Sequence, residues 1–140
     1  MSSDKSRKNI NKPLAAKRVV VKIGSALLTH KTEAINKTIV ERLANEIAAL
    51  SKKGIEVILV SSGAIASGRI ALNMSDNIHD VSLKQVLAAV GQGLLLQLYE
   101  QTFNTHDIRI AQALLTRHDM EERLGYLNVR NTLLKLIELN

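Results

Sequence analysis

Two hydrophobic periods alternate along this chain. Residues 18–23 form a β-branched run of strand length that stops at Gly24 and Ser25, where turn chemistry begins. From Ile35 onward, Ile39, Leu43, Ile47 and Leu50 recur every three or four residues, with Glu41, Arg42, Asn45, Lys52 and Lys53 between them, which predicts a helix. Asn36 or Thr38 can cap it, Thr38 with Glu41 makes a capping-box pair, and Gly54 can supply the left-handed residue that ends it. A continuous apolar run at 57–60 predicts a second, buried strand. Ser61, Ser62 and Gly63 then turn the chain into a small-residue helix start at 64–68.

After a polar loop around Asn73 to Asp80, Ser82 with Gln85 forms another capping-box pair ahead of Val86, Leu87, Val90, Leu94 and Leu98, predicting a long amphipathic helix. Gly91 and Gly93 inside it each cost about 1 kcal/mol relative to Ala, so they call for close approach of another helix, within the chain or in a homo-oligomer. Residues 109–115 read as a third strand, and Leu127, Leu133, Leu134 and Ile137 mark a closing helix. Strands alternating with helices predict an α/β protein with a parallel sheet and right-handed crossovers, whose ligands gather at the carboxyl ends of the strands. Gly24 and Ser25 lie at one such end, Ser62 and Gly63 at another.

Composition narrows this picture. Hydrophobic residues make up 46% of the 140 and aromatic ones only 2%, so the core is aliphatic, as suits helices packed on a parallel sheet. Cysteine is absent, which removes disulfides, thiolate chemistry and cysteine-ligated zinc, and makes a reducing, cytoplasmic location the expectation. The net charge of +6 sits mostly in a basic leader, residues 1–17, expected to be disordered, with a transit peptide as the alternative. No aromatics are interleaved with those charges, so nucleic acid is not an expected partner. The longest uncharged run, 86–99, is too short to span a bilayer and is broken by two glycines, so no membrane association is expected.

Several chemistries are excluded. No Walker pattern occurs, and Gly91-Gln-Gly93 sits in mid-helix, without the strand and third glycine of a dinucleotide fingerprint. His30, His79, His106 and His118 are scattered, so no metal site is expected, and Ser62 has neither a nucleophile elbow nor a histidine partner. Lys22 remains, near the end of a strand and followed by a turn whose N–H groups can face an anion, although a lysine that merely reaches water would look the same. At Ser62, Gly63 and Ala64, hydroxyl, backbone amides and helix dipole can converge on a carboxylate or phosphate, or Ser62 can serve as an ordinary N-cap.

The motifs VVVKIGS (19–25), VSSGAIASGR (60–69), LLTRHDME (114–121) and YLNVRNTL (126–133) resemble those of the glutamate 5-kinases, in order and spacing, over nearly all of 18–140. The resemblance implies an amino-acid kinase (carbamate kinase-like) fold, a three-layer sandwich with a mainly parallel sheet, here incomplete. It implies transfer of the γ-phosphoryl group of ATP, with Mg2+, to the side-chain carboxylate of L-glutamate, the first step of proline biosynthesis. By position, Lys22 would be catalytic and would bind the transferring phosphate with Gly24 and Ser25, while Ser62, Gly63 and Ala64 would hold glutamate. Residues 18–140 would then be the amino-terminal, glutamate-binding part of the kinase domain, without the Asp-rich loops and ATP lobe of the family. The alternative is a truncated, inactive relic or a noncatalytic anion-binding module that needs a partner lobe.

Overall fold

The computed structural model describes residues 16–29, 34–75 and 77–139. Most of the basic leader, and His30, lie outside them. Strand β1 (Arg18–Ile23) pairs in parallel with β2 (Glu56–Ser61), in a register that sets Arg18 beside Glu56 and Ile23 beside Ser61. The ion pair Arg18–Glu56, 2.7 Å, joins the first residues of the two strands. Between the strands run α1 (Ser25–Thr29) and α2 (Lys37–Ser51).

Helix α2 begins at Asn36, not at Thr38. The Leu28 carbonyl accepts the Asn36 N–H at 2.7 Å, which holds Asn36 in extended backbone, and its side chain accepts the Ile39 N–H at 3.2 Å. Thr38 is thereby drawn inside the helix and the Thr38–Glu41 box does not form. At the other end Gly54 takes the expected left-handed conformation, φ 73°.

Helices α3 (Ala64–Ala71) and α4 (Val81–Asn104) follow β2. Asp80, not a Ser82–Gln85 box, caps α4 by accepting the Ser82 N–H at 3.0 Å. The buried stripe of α4 is Leu87, Gly91, Leu95, Tyr99 and Phe103. It lies one residue on from the expected stripe, whose Val86, Val90 and Leu94 are exposed. Because both stripes are apolar, the sequence period could not choose between them; α4 is also long and apolar enough, by length and composition only, to cross a membrane. Leu95, Tyr99 and Phe103 of that stripe join Ile23, Leu28, Val40, Ala44 and Ile47 in the core, with Val57 and Leu59 of the sheet packed against it, while Leu87 and Gly91 meet α3.

One further correction concerns the sheet. Residues 109–115 form no strand: Ile108 and Ile110 tuck against the core, Gln112 accepts a hydrogen bond from Gln92 at 2.9 Å, and Leu114 and Leu115 are exposed. A strand needs a ladder neighbour, and β1 and β2 pair only with each other among the described residues. The face of the sheet away from the core carries Val20 and Val60, 61% and 46% exposed, so the helices described cover one face of it. Helices α5 (Arg117–Glu121) and α6 (Arg123–Leu139) complete the chain, pack chiefly on each other, and bury no residue completely.

Candidate functional site at the carboxyl ends of the strands

Parallel pairing brings the two strand-to-helix turns side by side. Beyond the last register pair, Ser62 donates twice to the Ile23 carbonyl, from its N–H at 3.2 Å and its hydroxyl at 3.3 Å. The Gly24 carbonyl accepts the N–H groups of Leu27 and Leu28, so the predicted turn at Gly24 and Ser25 is the start of a short helix. Gly24, Ser25, Ser62, Gly63 and Ala64 therefore occupy one end of the sheet, with α1 and α3 both leaving from it.

Lys22 is paired with Val60 and lies on the open face of the sheet. Its Nζ lies 3.6 Å from where a Cβ on Gly24 would stand, so the ammonium folds back over the Gly24 turn. Ser62 is not the cap of α3. Gly63 is, with no side chain accepting from the first turn, while the Ser67 hydroxyl and N–H both donate to the Gly63 carbonyl at 2.8 Å. The leading N–H groups of α3 are thus left without a side-chain acceptor, at the positive end of the helix dipole and beside a lysine turn. A carboxylate or phosphate fits that chemistry.

Gly63 is held there by packing. It is buried, and a Cβ on it would come within 2.8 Å of Leu28 Cδ1 and 3.5 Å of Leu95 Cδ2. Helix α3 is fixed in turn by backbone contact with α4. A Cβ on Gly91 would stand 1.9 Å from the Ala64 oxygen, and one on Gly68 would stand 1.9 Å from the Leu87 oxygen. Gly93 meets nothing within 4 Å, so only one of the two α4 glycines has the expected close approach.

Sequence reasoning missed Tyr99. Its hydroxyl shares a 2.9 Å hydrogen bond with the Ser61 hydroxyl at the end of β2, and burial, partly offset by that bond, raises its pKa above the ordinary tyrosine value. The available signal was a tyrosine, four residues before the one phenylalanine, in a chain otherwise nearly free of aromatics. The three described histidines lie elsewhere: His79 and His118 are exposed, and His106 helps line a cavity of about 460 Å³ between α2 and α4. In that cavity Thr102 and Thr105 already donate to carbonyls of their own segment, Leu98 and Thr102. No group of three His, Cys, Asp or Glu side chains suited to a metal occurs among the described residues.

Residues 17–140 match the amino acid kinase family. A protein of Dehalococcoides mccartyi named glutamate 5-kinase is 49% identical over 123 residues, 88% of this chain and 33% of that protein. Proteins of the same name from Laribacter hongkongensis and Caldanaerobacter subterraneus are each 48% identical, over 90% and 86% of this chain and 34% and 32% of theirs. The chain spans about a third of the length of these relatives. Its family match covers both strand-end turns and the helices behind them, and the chain belongs to the amino acid kinase family.

Proposed function

We propose that this chain supplies the glutamate-holding part of a glutamate 5-kinase, which transfers the γ-phosphoryl group of ATP to the side-chain carboxylate of L-glutamate. The observation that carries this reading is the convergence of the two anion-ready turns through Ser62 and Ile23. Ser62, Gly63 and Ala64 hold glutamate, with the open N–H groups of α3 directed at its carboxylate. Lys22, Gly24 and Ser25 cradle the phosphate, and Lys22 neutralises charge as it moves.

The acceptor carboxylate is ionised at neutral pH, so its oxygen attacks phosphorus without a general base. A bond forms from that oxygen to the γ-phosphorus as the bond to the β-phosphate oxygen breaks, giving glutamate 5-phosphate and ADP. Catalysis then rests on positioning and on fixed positive charge, which a lysine and backbone N–H groups provide. Mg2+, carried with ATP, supplies further neutralisation of phosphate charge. In this reading residues 18–140 are the amino-terminal part of the kinase domain and the protein works in the cytoplasm, on the first step of proline biosynthesis.

A second reading makes the chain a noncatalytic anion-binding module completed by a separate polypeptide; the open sheet face at Val20 and Val60 favours it. Titrating L-glutamate into 15N-labelled chain tests the site itself, with shifts expected at the amides of 62–64 and at Gly24. No shift at any amide up to tens of millimolar would sink both readings. Glutamate-dependent ADP release by the chain alone supports the kinase, whereas release only after adding a separate ATP lobe supports the module.

A further inference from the structure

We infer that Tyr99, acting through Ser61, is a positioning residue for the 62–64 turn, and this inference rests on reading that turn as the glutamate site. Parallel register points the Ser61 side chain to the core face of the sheet, the side of Ile23 and Leu59, whereas Lys22 and Val60 point to the open face. There the Ser61 hydroxyl meets the Tyr99 hydroxyl at 2.9 Å. Tyr99 is itself immobilised: it is 6% exposed, and its ring lies against Phe103 with centroids 6.4 Å apart.

The next residue, Ser62, places both its N–H and its hydroxyl on the Ile23 carbonyl. One hydrogen-bonded line therefore runs from α4 through the end of β2 to the end of β1. Four residues earlier on α4, Leu95 closes over Gly63. Helix α4 thus holds the turn at two successive points, one polar at Ser61 and one apolar at Gly63. Without the Tyr99 hydroxyl, the apolar contact remains, but the Ser61–Ser62 peptide keeps its polar hold from the β1 side alone, at the Ile23 carbonyl. The open N–H groups of α3 then lose their common aim. Tyr99 does not touch the ligand in this scheme, and its ring packing is separable from its hydroxyl.

The test compares wild type with Tyr99→Phe, Ser61→Ala and Ser61→Thr by amide hydrogen exchange and by L-glutamate titration of the labelled chain. In Tyr99→Phe and Ser61→Ala the Ser62 amide should exchange about two- to tenfold faster, and glutamate should bind weaker by a similar factor. The β2 amides of Ile58 and Val60, which face β1 in the same register as those of Glu56 and Ser62, should keep their wild-type rates. Ser61→Thr, which retains a hydroxyl, should restore both readouts, and the double variant should be no worse than either single one. Unchanged Ser62 exchange in Tyr99→Phe would overturn the inference, as would equal acceleration along all of β2, which would mark a general loss of stability. Should wild type bind no glutamate, the functional reading fails while the exchange comparison still decides the role of Tyr99.

Discussion

Gly91 and Gly93 sit two residues apart on α4, and replacing each by alanine should move stability in opposite directions. A Cβ on Gly91 would stand 1.9 Å from the Ala64 oxygen and 2.3 Å from the Gly68 nitrogen. Both obstacles are backbone, so no side-chain rotation relieves them, and α3 must withdraw from α4 by about 1 Å to reach even a tight contact. Overpacking of this kind costs about 1–3 kcal/mol, and the rigid partner argues for the upper end. Helix propensity returns about 1 kcal/mol, leaving Gly91→Ala less stable by about 2 kcal/mol. Gly93 meets nothing within 4 Å, so Gly93→Ala keeps the whole propensity gain and should be more stable by about 1 kcal/mol. Urea denaturation followed by circular dichroism reads both. With a slope of roughly 1–3 kcal/mol/M, the two midpoints should lie about 1–3 M apart, on either side of wild type. Because Ala64 ends the turn proposed to hold glutamate, Gly91→Ala should also weaken glutamate binding. If Gly91→Ala proved as stable as Gly93→Ala, the interlock of α3 and α4 would be wrong.

Three other outcomes are expected. In a complete enzyme carrying this segment, Lys22→Ala should abolish turnover with little loss of folding, since the side chain lies on the open sheet face, and Ser62→Ala should mainly raise KM for glutamate; near-normal kcat in Lys22→Ala would remove its assigned role. The raised pKa of Tyr99 means that its protonated form stabilises the fold fully below the unfolded value of about 10, and that this contribution is lost as pH rises through the folded value. The urea midpoint should therefore fall in alkali, and Tyr99→Phe should flatten that fall. The Asp119 carboxylate accepts from the Thr116 hydroxyl and N–H, which lowers its pKa, so the cap of α5 should persist above the ordinary carboxylate range and open as pH drops through the depressed value. Acid titration of the Thr116 amide signal checks this, and a midpoint at the unperturbed aspartate value would contradict the capping box.

Local chemistry was legible wherever one residue type had one use. The run at 18–23 could only be a strand, and β1 has those bounds; Gly54 could best end α2, and does. Legibility failed where two local solutions competed. Asn36 won over Thr38 because the Leu28 carbonyl, distant in the sequence pattern, had already claimed its N–H. Asp80 displaced the Ser82 box by occupying the N-cap two residues earlier in the chain. The buried stripe of α4 shifted because Gly91, which lets α3 approach, had to face inward, and this turned Val90 and Leu94 outward. At the candidate site the turns could be read from strand-end glycines and serines, but their adjacency depends on register, and Tyr99 belongs to it only through a contact 38 residues away in sequence.

Helices α5 and α6 pack chiefly on each other, and among the residues they carry none is fully buried. Their opening therefore exposes little surface held by the rest of the chain, so it should have a free energy of its own, set well below that of α3, α4 and the sheet. A denaturation curve for this chain is then a sum of two transitions, an early one from α5 and α6 and a later one from the interlocked body. The circular dichroism midpoints of the glycine variants should differ in the second transition alone, and fitting one two-state curve to the whole signal would understate their separation.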